Sequence, residues 1–289
     1  MKLLSNGNIE TTDLEETYAP SLVDYSTWVV GTQGSQSGWS RNGLVEENEI
    51  ILKANPLGET DIVWATEQND IDSNGDGGWV SGVIPIDNTA LYRVSYWVKR
   101  ENAGNGRTYM GYYGYTGGSN TGLTNTSGEA NYLSTNPYPF TYLYSSPFNR
   151  EDWILNVYFV QPYLTTVQIS QVTAEKGSWL QDGTRIYSGG TAFCFTSTNN
   201  GLRIRSYLFY STSTSERQYW YRPRLDKCDG SEPSISELLA LSENENLYGI
   251  KPQLGETIKG HFIETTGLTG SQQITSKGYV KVNGIFEEV

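Results

Sequence analysis

Apolar and polar residues alternate along several short stretches between roughly residues 21 and 230. In the segment 91–99, one set of alternate residues is uniformly apolar or aromatic: Tyr92, Val94, Tyr96 and Val98. A period of two residues is typical of a β-strand, so this set is predicted to face the core. Further strands are predicted at 49–53, 62–65, 108–115, 153–160, 203–210 and 218–222. The segment 153–160 is almost continuously hydrophobic, which indicates a central strand covered on both sides.

The predicted fold class is all-β, a jelly-roll-type β-sandwich, because many short strands separated by turn residues favour two packed sheets. The composition agrees: 13% of the residues are aromatic, with 21 Tyr and 8 Trp, and 31 Gly residues are available for turns. Trp79 and Trp97 are predicted core residues. One short helix is predicted at 234–241, where Ser234 and Glu237 have the spacing of a capping box.

The chain is predicted to have three parts. Residues 1–20 are polar and read as an N-terminal arm for attachment. Residues 21–241 form the sandwich, which the short helix closes. Residues 242–289 form a small, polar C-terminal appendage, with candidate strands within 256–267 and 276–289.

The net charge of −12 argues against nucleic acid and against an anionic membrane surface as partners. No apolar run approaches the roughly 18 residues that a membrane-spanning helix needs. The first residues become polar too early for a signal peptide, so we expect synthesis in a cytosol. Cys194 and Cys228 lack the spacing of a metal site or a disulfide framework. They are either buried thiols or, if their strands are neighbours, a disulfide.

Residues suited to catalysis are scarce. His261 is the only histidine and lies in the C-terminal appendage, which disfavours a histidine-assisted nucleophile in the sandwich and excludes a zinc site built on several histidines. No phosphate-binding loop is present. Acidic residues are common, but no spacing singles out a carboxylate pair for glycoside hydrolysis. We therefore expect a protein that is not an enzyme and that needs no cofactor, apart from a structural calcium ion considered next.

One acidic turn has the spacing of a calcium loop. Side-chain oxygens occur at alternate positions in Asp70, Asp72, Asn74 and Asp76. This spacing resembles the first half of an EF-hand loop, in which such oxygens wrap one Ca²⁺ ion. The twelfth position is Ser81, so the bidentate Glu of that loop is missing. The segment is either a polar surface turn that leads to Trp79 or a structural calcium site.

Tyrosines are concentrated in the Gly-, Ser- and Asn-rich stretch 107–146. Tyrosine among small polar residues is typical of adaptable recognition surfaces, since the ring offers contact area at low entropic cost. The candidate carbohydrate-binding residues are Tyr112, Tyr113, Tyr115, Tyr138 and Tyr142. The alternative is that these rings fill the core or cover the sheet edges.

Five segments occur in an order that resembles a domain of bacteriophage tail fibres and related virion appendages: 76–79, 85–100, 135–140, 205–212 and 219–239. That family is similar to carbohydrate-binding modules of the β-sandwich type, and the resemblance covers about residues 25–240. It implies a virion protein of a tailed phage, assembled in the host cytoplasm with other virion proteins as partners. It identifies no sugar-binding residue.

The leading hypothesis is a tail-fibre or appendage protein whose sandwich binds a bacterial surface glycan. We expect a homotrimer, because weak sugar sites gain from multivalency. The alternative is a purely structural virion protein, such as a head fibre, a capsid decoration or a tail connector, in which the arm and the appendage are docking elements. A depolymerase is a third hypothesis, which the absence of a marked carboxylate pair disfavours.

Overall fold

The computed structural model describes residues 2–3, 9–10, 21–35, 38–67, 75–125, 133–134, 137–142, 151–163, 170–240, 259–264, 275–282 and 285–288. The first eleven strands are β1 (Lys2–Leu3), β2 (Ile9–Glu10), β3 (Trp39–Asn42), β4 (Asn48–Ala54), β5 (Thr60–Glu67), β6 (Gly75–Ser81), β7 (Ile84–Pro85), β8 (Tyr92–Glu101), β9 (Arg107–Thr116), β10 (Ser119–Thr121) and β11 (Leu123–Asn125). The others are β12 (Leu133–Ser134), β13 (Phe140–Tyr142), β14 (Ile154–Gln161), β15 (Gly177–Leu180), β16 (Arg185–Tyr187), β17 (Phe193–Cys194), β18 (Gly201–Phe209), β19 (Arg217–Lys227), β20 (Lys259–Glu264), β21 (Thr275–Val282) and β22 (Ile285–Glu288). The helices are α1 (Ser170–Glu175) and α2 (Ile235–Ala240).

Two large sheets form the body of the molecule. The front sheet has seven strands in the order β10-β9-β18-β6-β3, with β13 beside β9 and β7 beside β18. The back sheet has ten strands in the order β12-β11-β17-β14-β8-β19-β5-β4, with β15 beside β14 and β16 beside β15. Neighbouring strands of the described residues are antiparallel, apart from the parallel pair β14 and β17. This architecture confirms the predicted all-β sandwich and every strand predicted within it.

The two sheets pack through a connected set of aromatic rings. Trp79 of the front sheet contacts Tyr96 and Trp220 of the back sheet, with ring centroids 5.3 and 6.4 Å apart. The ring centroid of Trp39 lies 5.4 Å from that of Trp79. These pairs are edge-to-face, the arrangement that aromatic quadrupoles favour. Trp79 is therefore a core residue, as predicted.

The central strands β8 and β14 of the back sheet are buried on both faces. All eight residues of β14 are buried, which confirms a central strand. In β8 the predicted core set is buried, and so is the opposite face, which includes Trp97. On that face Arg93 lies within 2.8 Å of Glu175, the last residue of α1, and within 3.1 Å of Asp226. Helix α1 and the chain around α2 thus cover this sheet and supply partners for its buried charge.

One buried amide ties the two sheets together at their β3–β4 side. Asn48 of the back sheet donates from Nδ2 to the carbonyl oxygens of Asn42, at 2.7 Å, and Leu44, at 2.8 Å. Its Oδ1 accepts from Trp64 Nε1 at 2.9 Å and from the Gly78 N–H at 2.8 Å. Both N–H donors and both acceptor lone pairs of this amide are therefore used.

The predicted capping box is present at α2. The Ser234 N–H donates to Glu237 Oε2 at 2.7 Å, and the Glu237 N–H donates to Ser234 Oγ at 3.3 Å. The prediction of one helix is incomplete, because α1 is a second one. Helix α1 has six residues and a single buried apolar side chain, Val172, so it is too short to show a helical period in the sequence.

Shorter strands precede and follow the sandwich in the sequence. Strands β1 and β2 pair near the N-terminus, and β20, β21 and β22 form a three-stranded antiparallel sheet near the C-terminus, as the candidate strands there suggested. His261 lies in β20. The boundaries at 20/21 and 241/242 stay a prediction. Cys194 and Cys228 are free thiols, and among the described residues no helix is long and apolar enough to cross a membrane.

Candidate ligand-binding surface

The outer face of the front sheet carries a row of paired side chains on β9 and β18. The alternate residues Thr108, Met110 and Tyr112 are buried, so the residues between them face outward. With their partners on β18 they form five cross-strand pairs: Arg107–Phe209, Tyr109–Tyr207, Gly111–Arg205, Tyr113–Arg203 and Tyr115–Gly201. We call these ten residues, together with Tyr138, the ring surface.

Arg205 lies at the centre of the ring surface. Its guanidinium carbon is 3.7 Å from the centroid of the Tyr113 ring, 4.4 Å from that of Tyr138 and 5.9 Å from that of Tyr207. Arg205 also donates a hydrogen bond from Nη1 to the Tyr113 hydroxyl. The side chain is only 4% exposed. Because a cation over a ring face is stabilised most when water is excluded, this arrangement fixes the three rings around one charge.

The tyrosines of this surface also hold one another. Tyr109 and Tyr207 are stacked, with centroids 5.2 Å apart and planes 7° from parallel. Tyr138 meets Tyr109 edge-to-face at 4.8 Å, and its hydroxyl is 2.8 Å from that of Tyr207. Burial raises the pKa of both Tyr138 and Tyr207, so the two phenols are neutral at pH 7. The rings therefore form a prearranged, neutral platform.

Gly111 leaves room for the ring of Tyr138 on the outer face of β9, although the two residues are distant in sequence. A Cβ atom at Gly111 would lie 2.5 Å from the carbonyl oxygen of Pro137 and 2.5 Å from Cδ1 of Tyr138. The Tyr112 N–H donates to the same Pro137 oxygen at 3.2 Å. The ring of Tyr138 thus lies over β9 at the one outward position of that strand that has no side chain.

The predicted carbohydrate-binding tyrosines separate into groups. Tyr113 and Tyr138 lie at the centre of the ring surface, and Tyr115 lies at its end, opposite Gly201. Tyr112 faces inward, is fully buried and donates its hydroxyl to the Phe159 carbonyl oxygen at 2.9 Å, so it belongs to the core. The backbone of Tyr142 pairs with Thr108, and its side chain lies outside the described part of the structure.

Tyr109 lies in the tyrosine-rich stretch 107–146 but is not among the predicted binding residues, and Tyr207, Phe209 and Arg205 lie outside that stretch. The signal that could have found them is the alternation in 203–210, where one face carries two arginines and two rings. That face is typical of a solvated strand, and only its pairing with β9 shows that it continues the tyrosine cluster.

The predicted calcium ligands Asp70, Asp72 and Asn74 lie outside the described residues. Asp76 is fully buried; its Oδ2 accepts from the Ser211 N–H at 3.1 Å, and its carbonyl oxygen accepts from the Thr66 hydroxyl. In the described ranges, no group of three or more His, Cys, Asp or Glu residues could hold a metal ion. The calcium site stays a prediction.

The comparisons with known proteins extend only to fold. No protein-family model and no curated protein matches the sequence. An exo-beta-agarase is similar in structure, with a TM-score of 0.40, 10% identity and coverage of 68% of this chain and 24% of that chain. The module TmCBM61 in complex with beta-1,4-galactotriose has a TM-score of 0.34, 10% identity and coverage of 68% and 97%. The CBM22-1 xylan-binding domain of Paenibacillus barcinonensis Xyn10C has a TM-score of 0.34, 10% identity and coverage of 68% and 90%.

These neighbours include carbohydrate-binding modules with a β-sandwich fold. The chain spans about a quarter of the exo-beta-agarase. Structural similarity at this level of TM-score and identity does not indicate a ligand or an activity.

Proposed function

We propose that this protein binds a glycan through the ring surface of its front sheet, as an appendage of a phage virion. The observation that carries the proposal is the clamp of Arg205 between Tyr113 and Tyr138 beside the stacked pair of Tyr109 and Tyr207. The clamp fixes a group of aromatic rings on the outer side of a sheet, and the same sheet's inner side forms the core.

Rings fixed in this way suit a sugar. The apolar C–H face of a pyranose packs on an aromatic ring, and the phenol hydroxyls and guanidinium groups can hydrogen-bond the sugar hydroxyls. Prearranged side chains lose little conformational entropy on binding, which favours even a small ligand.

The proposed activity is binding without turnover. Hydrolysis of a glycosidic bond ordinarily uses two carboxylates on either side of that bond. None of the ten residues in the five outward pairs is acidic. A sugar seated on the ring surface would therefore lie against rings and cations.

The virion setting rests on the resemblance of five segments to tail-fibre and appendage domains. A homotrimer would place three such surfaces on one particle appendage, and multivalency would then raise the apparent affinity of a weak site. In this setting the ligand is a glycan of the bacterial surface, and the other partners are virion proteins.

The test is glycan binding by the purified chain and by variants of the ring surface. Tyr207→Ala and Tyr113→Ala should each weaken retention on a glycan array or in affinity electrophoresis by about tenfold, the effect of losing one stacked ring. Tyr187→Ala removes a ring outside this surface and is the matched control. Circular dichroism verifies that each variant is folded. Unchanged binding in both ring-surface variants, or no glycan binding by an assembled oligomer, would overturn the proposal.

Incubation of the same glycans with the protein tests turnover. No new reducing ends are expected. Their appearance would replace binding by hydrolysis as the function.

A further inference from the structure

The ring surface has a charge opposite to that of the protein as a whole. The chain carries 32 acidic and 20 basic residues. The five outward pairs contain three arginines, Arg107, Arg203 and Arg205, and no acidic residue. The surface is thus a cationic strip on an anionic molecule.

Three fully buried arginines of the back sheet, in contrast, are paired with acids. Arg93 lies 3.1 Å from Asp226, and Arg224 lies 2.6 Å from the same carboxylate. Arg100 forms a buried ion pair with Glu216. These residues belong to the interior of the sandwich, where an arginine without a carboxylate would be costly.

Two arginines of the ring surface, Arg203 and Arg107, have no acidic partner of this kind among the described residues. Arg203 donates from Nε to the Ser81 carbonyl oxygen at 2.8 Å, and Arg107 lies 4.7 Å from the centroid of the Tyr210 ring. Both side chains are partly exposed. Among the residues that the structure describes, no carboxylate lies within ion-pair distance of either one. Their contacts hold them in place without a carboxylate partner in the described part of the chain.

The positions of these cations fit an extended ligand. Arg203 pairs with Tyr113, and Arg107 pairs with Phe209 three outward pairs further along. Outward residues of one strand are about 7 Å apart, so the two pairs are separated by about 20 Å. Rings occupy the space between the two arginines.

We propose that the ligand is an acidic glycan, whose carboxylate or sulfate groups are bound by Arg203 and Arg107 while the rings between them bind sugar faces. This inference rests on the proposed glycan-binding function and names its substrate class. Guanidinium groups bind such oxyanions through paired, charge-assisted hydrogen bonds. The anionic remainder of the protein repels the same polymer, which restricts binding to the strip.

Matched polymers test the charge requirement. Dextran and dextran sulfate share one backbone, and polygalacturonate can be compared with its carboxyl-reduced form. In affinity electrophoresis, at least one acidic polymer should retard the protein at least about tenfold more strongly than its neutral counterpart. The dextran sulfate arm and the polygalacturonate arm separate sulfate from carboxylate recognition. Retardation should largely disappear at about 1 M salt, where the screening length is about 3 Å instead of about 10 Å at 0.1 M.

Variants assign the effect to the strip. Arg203→Gln should weaken binding of the acidic polymer about tenfold, the effect of losing one charge-assisted hydrogen-bonded contact. Lys227→Gln makes the same change in net charge at an exposed site on the back sheet and should leave binding unchanged.

Each remaining outcome counts against a specific claim. Equal binding of neutral and acidic polymers would overturn the acidic ligand and leave the glycan-binding function standing. Binding of no glycan of either kind would overturn the function itself. Equal weakening by Arg203→Gln and Lys227→Gln, or equally tight binding of duplex DNA, would show general charge attraction and would also overturn the inference.

Discussion

The guanidinium of Arg205 lies 3.7 Å from the centre of the Tyr113 ring and is hydrogen-bonded to the hydroxyl of that ring. On β9 the residue opposite Arg205 is Gly111, and the space beside this glycine is filled by the ring of Tyr138. A single buried cation thus fixes two rings from different parts of the chain.

Replacing this cation should loosen the surface. Arg205→Leu is expected to lower the free energy of unfolding by about 1–3 kcal/mol, because cation–π contacts and one charge-assisted hydrogen bond are lost. It should also weaken glycan binding more than Arg205→Lys, which keeps the charge but not the planar stack. Urea denaturation and affinity electrophoresis measure the two effects. Equal stability of Arg205→Leu and the wild type would contradict the clamp.

The buried amide of Asn48 should be worth more than any single surface contact. Asn48→Ala leaves the Trp64 and Gly78 N–H groups without their acceptor, and each such loss costs about 1–3 kcal/mol. We expect the free energy of unfolding to fall by about 2–4 kcal/mol in urea denaturation.

Asn48→Asp distinguishes the contribution of the hydrogen bonds that Asn48 accepts from that of the hydrogen bonds it donates. It keeps an acceptor for Trp64 and Gly78 but loses the donors to Asn42 and Leu44. A cost near zero for Asn48→Ala would mean that solvent replaces these bonds.

The capping box at α2 predicts a smaller effect. Ser234→Ala removes the acceptor of the Glu237 N–H at the first turn of the helix. The expected loss is about 1 kcal/mol, the usual contribution of a serine N-cap. Ser234→Asp keeps an acceptor at this position and should stay close to the wild type in a thermal unfolding experiment. A larger loss in Ser234→Asp than in Ser234→Ala would contradict the capping role.

The buried tyrosines predict alkaline unfolding. Burial raises the pKa of several of them: Tyr96, Tyr112, Tyr138, Tyr158, Tyr207, Tyr219 and Tyr221. An unfolded tyrosine ionises near pH 10, so above that pH the unfolded chain releases protons that the folded chain keeps. The free energy of unfolding should therefore be unaffected by these groups below about pH 9 and should fall as the pH rises through about 10.

Urea denaturation across this range, with tyrosinate absorbance of the folded protein, measures that effect. The prediction fails if most of the 21 tyrosines titrate near pH 10 while native circular dichroism is retained.

The strands could be predicted because each one carries its own period of two residues. In 91–99 the uniformly apolar set Tyr92, Val94, Tyr96 and Val98 identifies the core face without any knowledge of neighbours. The burial of Arg93 on the other face could not be predicted, because its partner Glu175 is 82 residues away in a helix with no periodic signal.

The binding surface was harder to predict than the fold. Strand β9 has tyrosines on both of its faces: Tyr112 on one, and Tyr109, Tyr113 and Tyr115 on the other. Its sequence therefore does not indicate which rings face outward. The buried positions of Met110 and Thr108 settle the question, and they depend on how the back sheet packs beneath.

The outward pairs of β9 and β18 exist because their residues fall on the same side of the pleat. A one-residue shift of the whole of β9 would turn Tyr109 and Tyr113 toward the interior and expose Met110 and Tyr112. A two-residue change would only slide the row by one step. Which side chains this face presents thus depends on whether a residue occupies an odd or an even position in the strand. Natural insertions and deletions in β9 should therefore be of two residues.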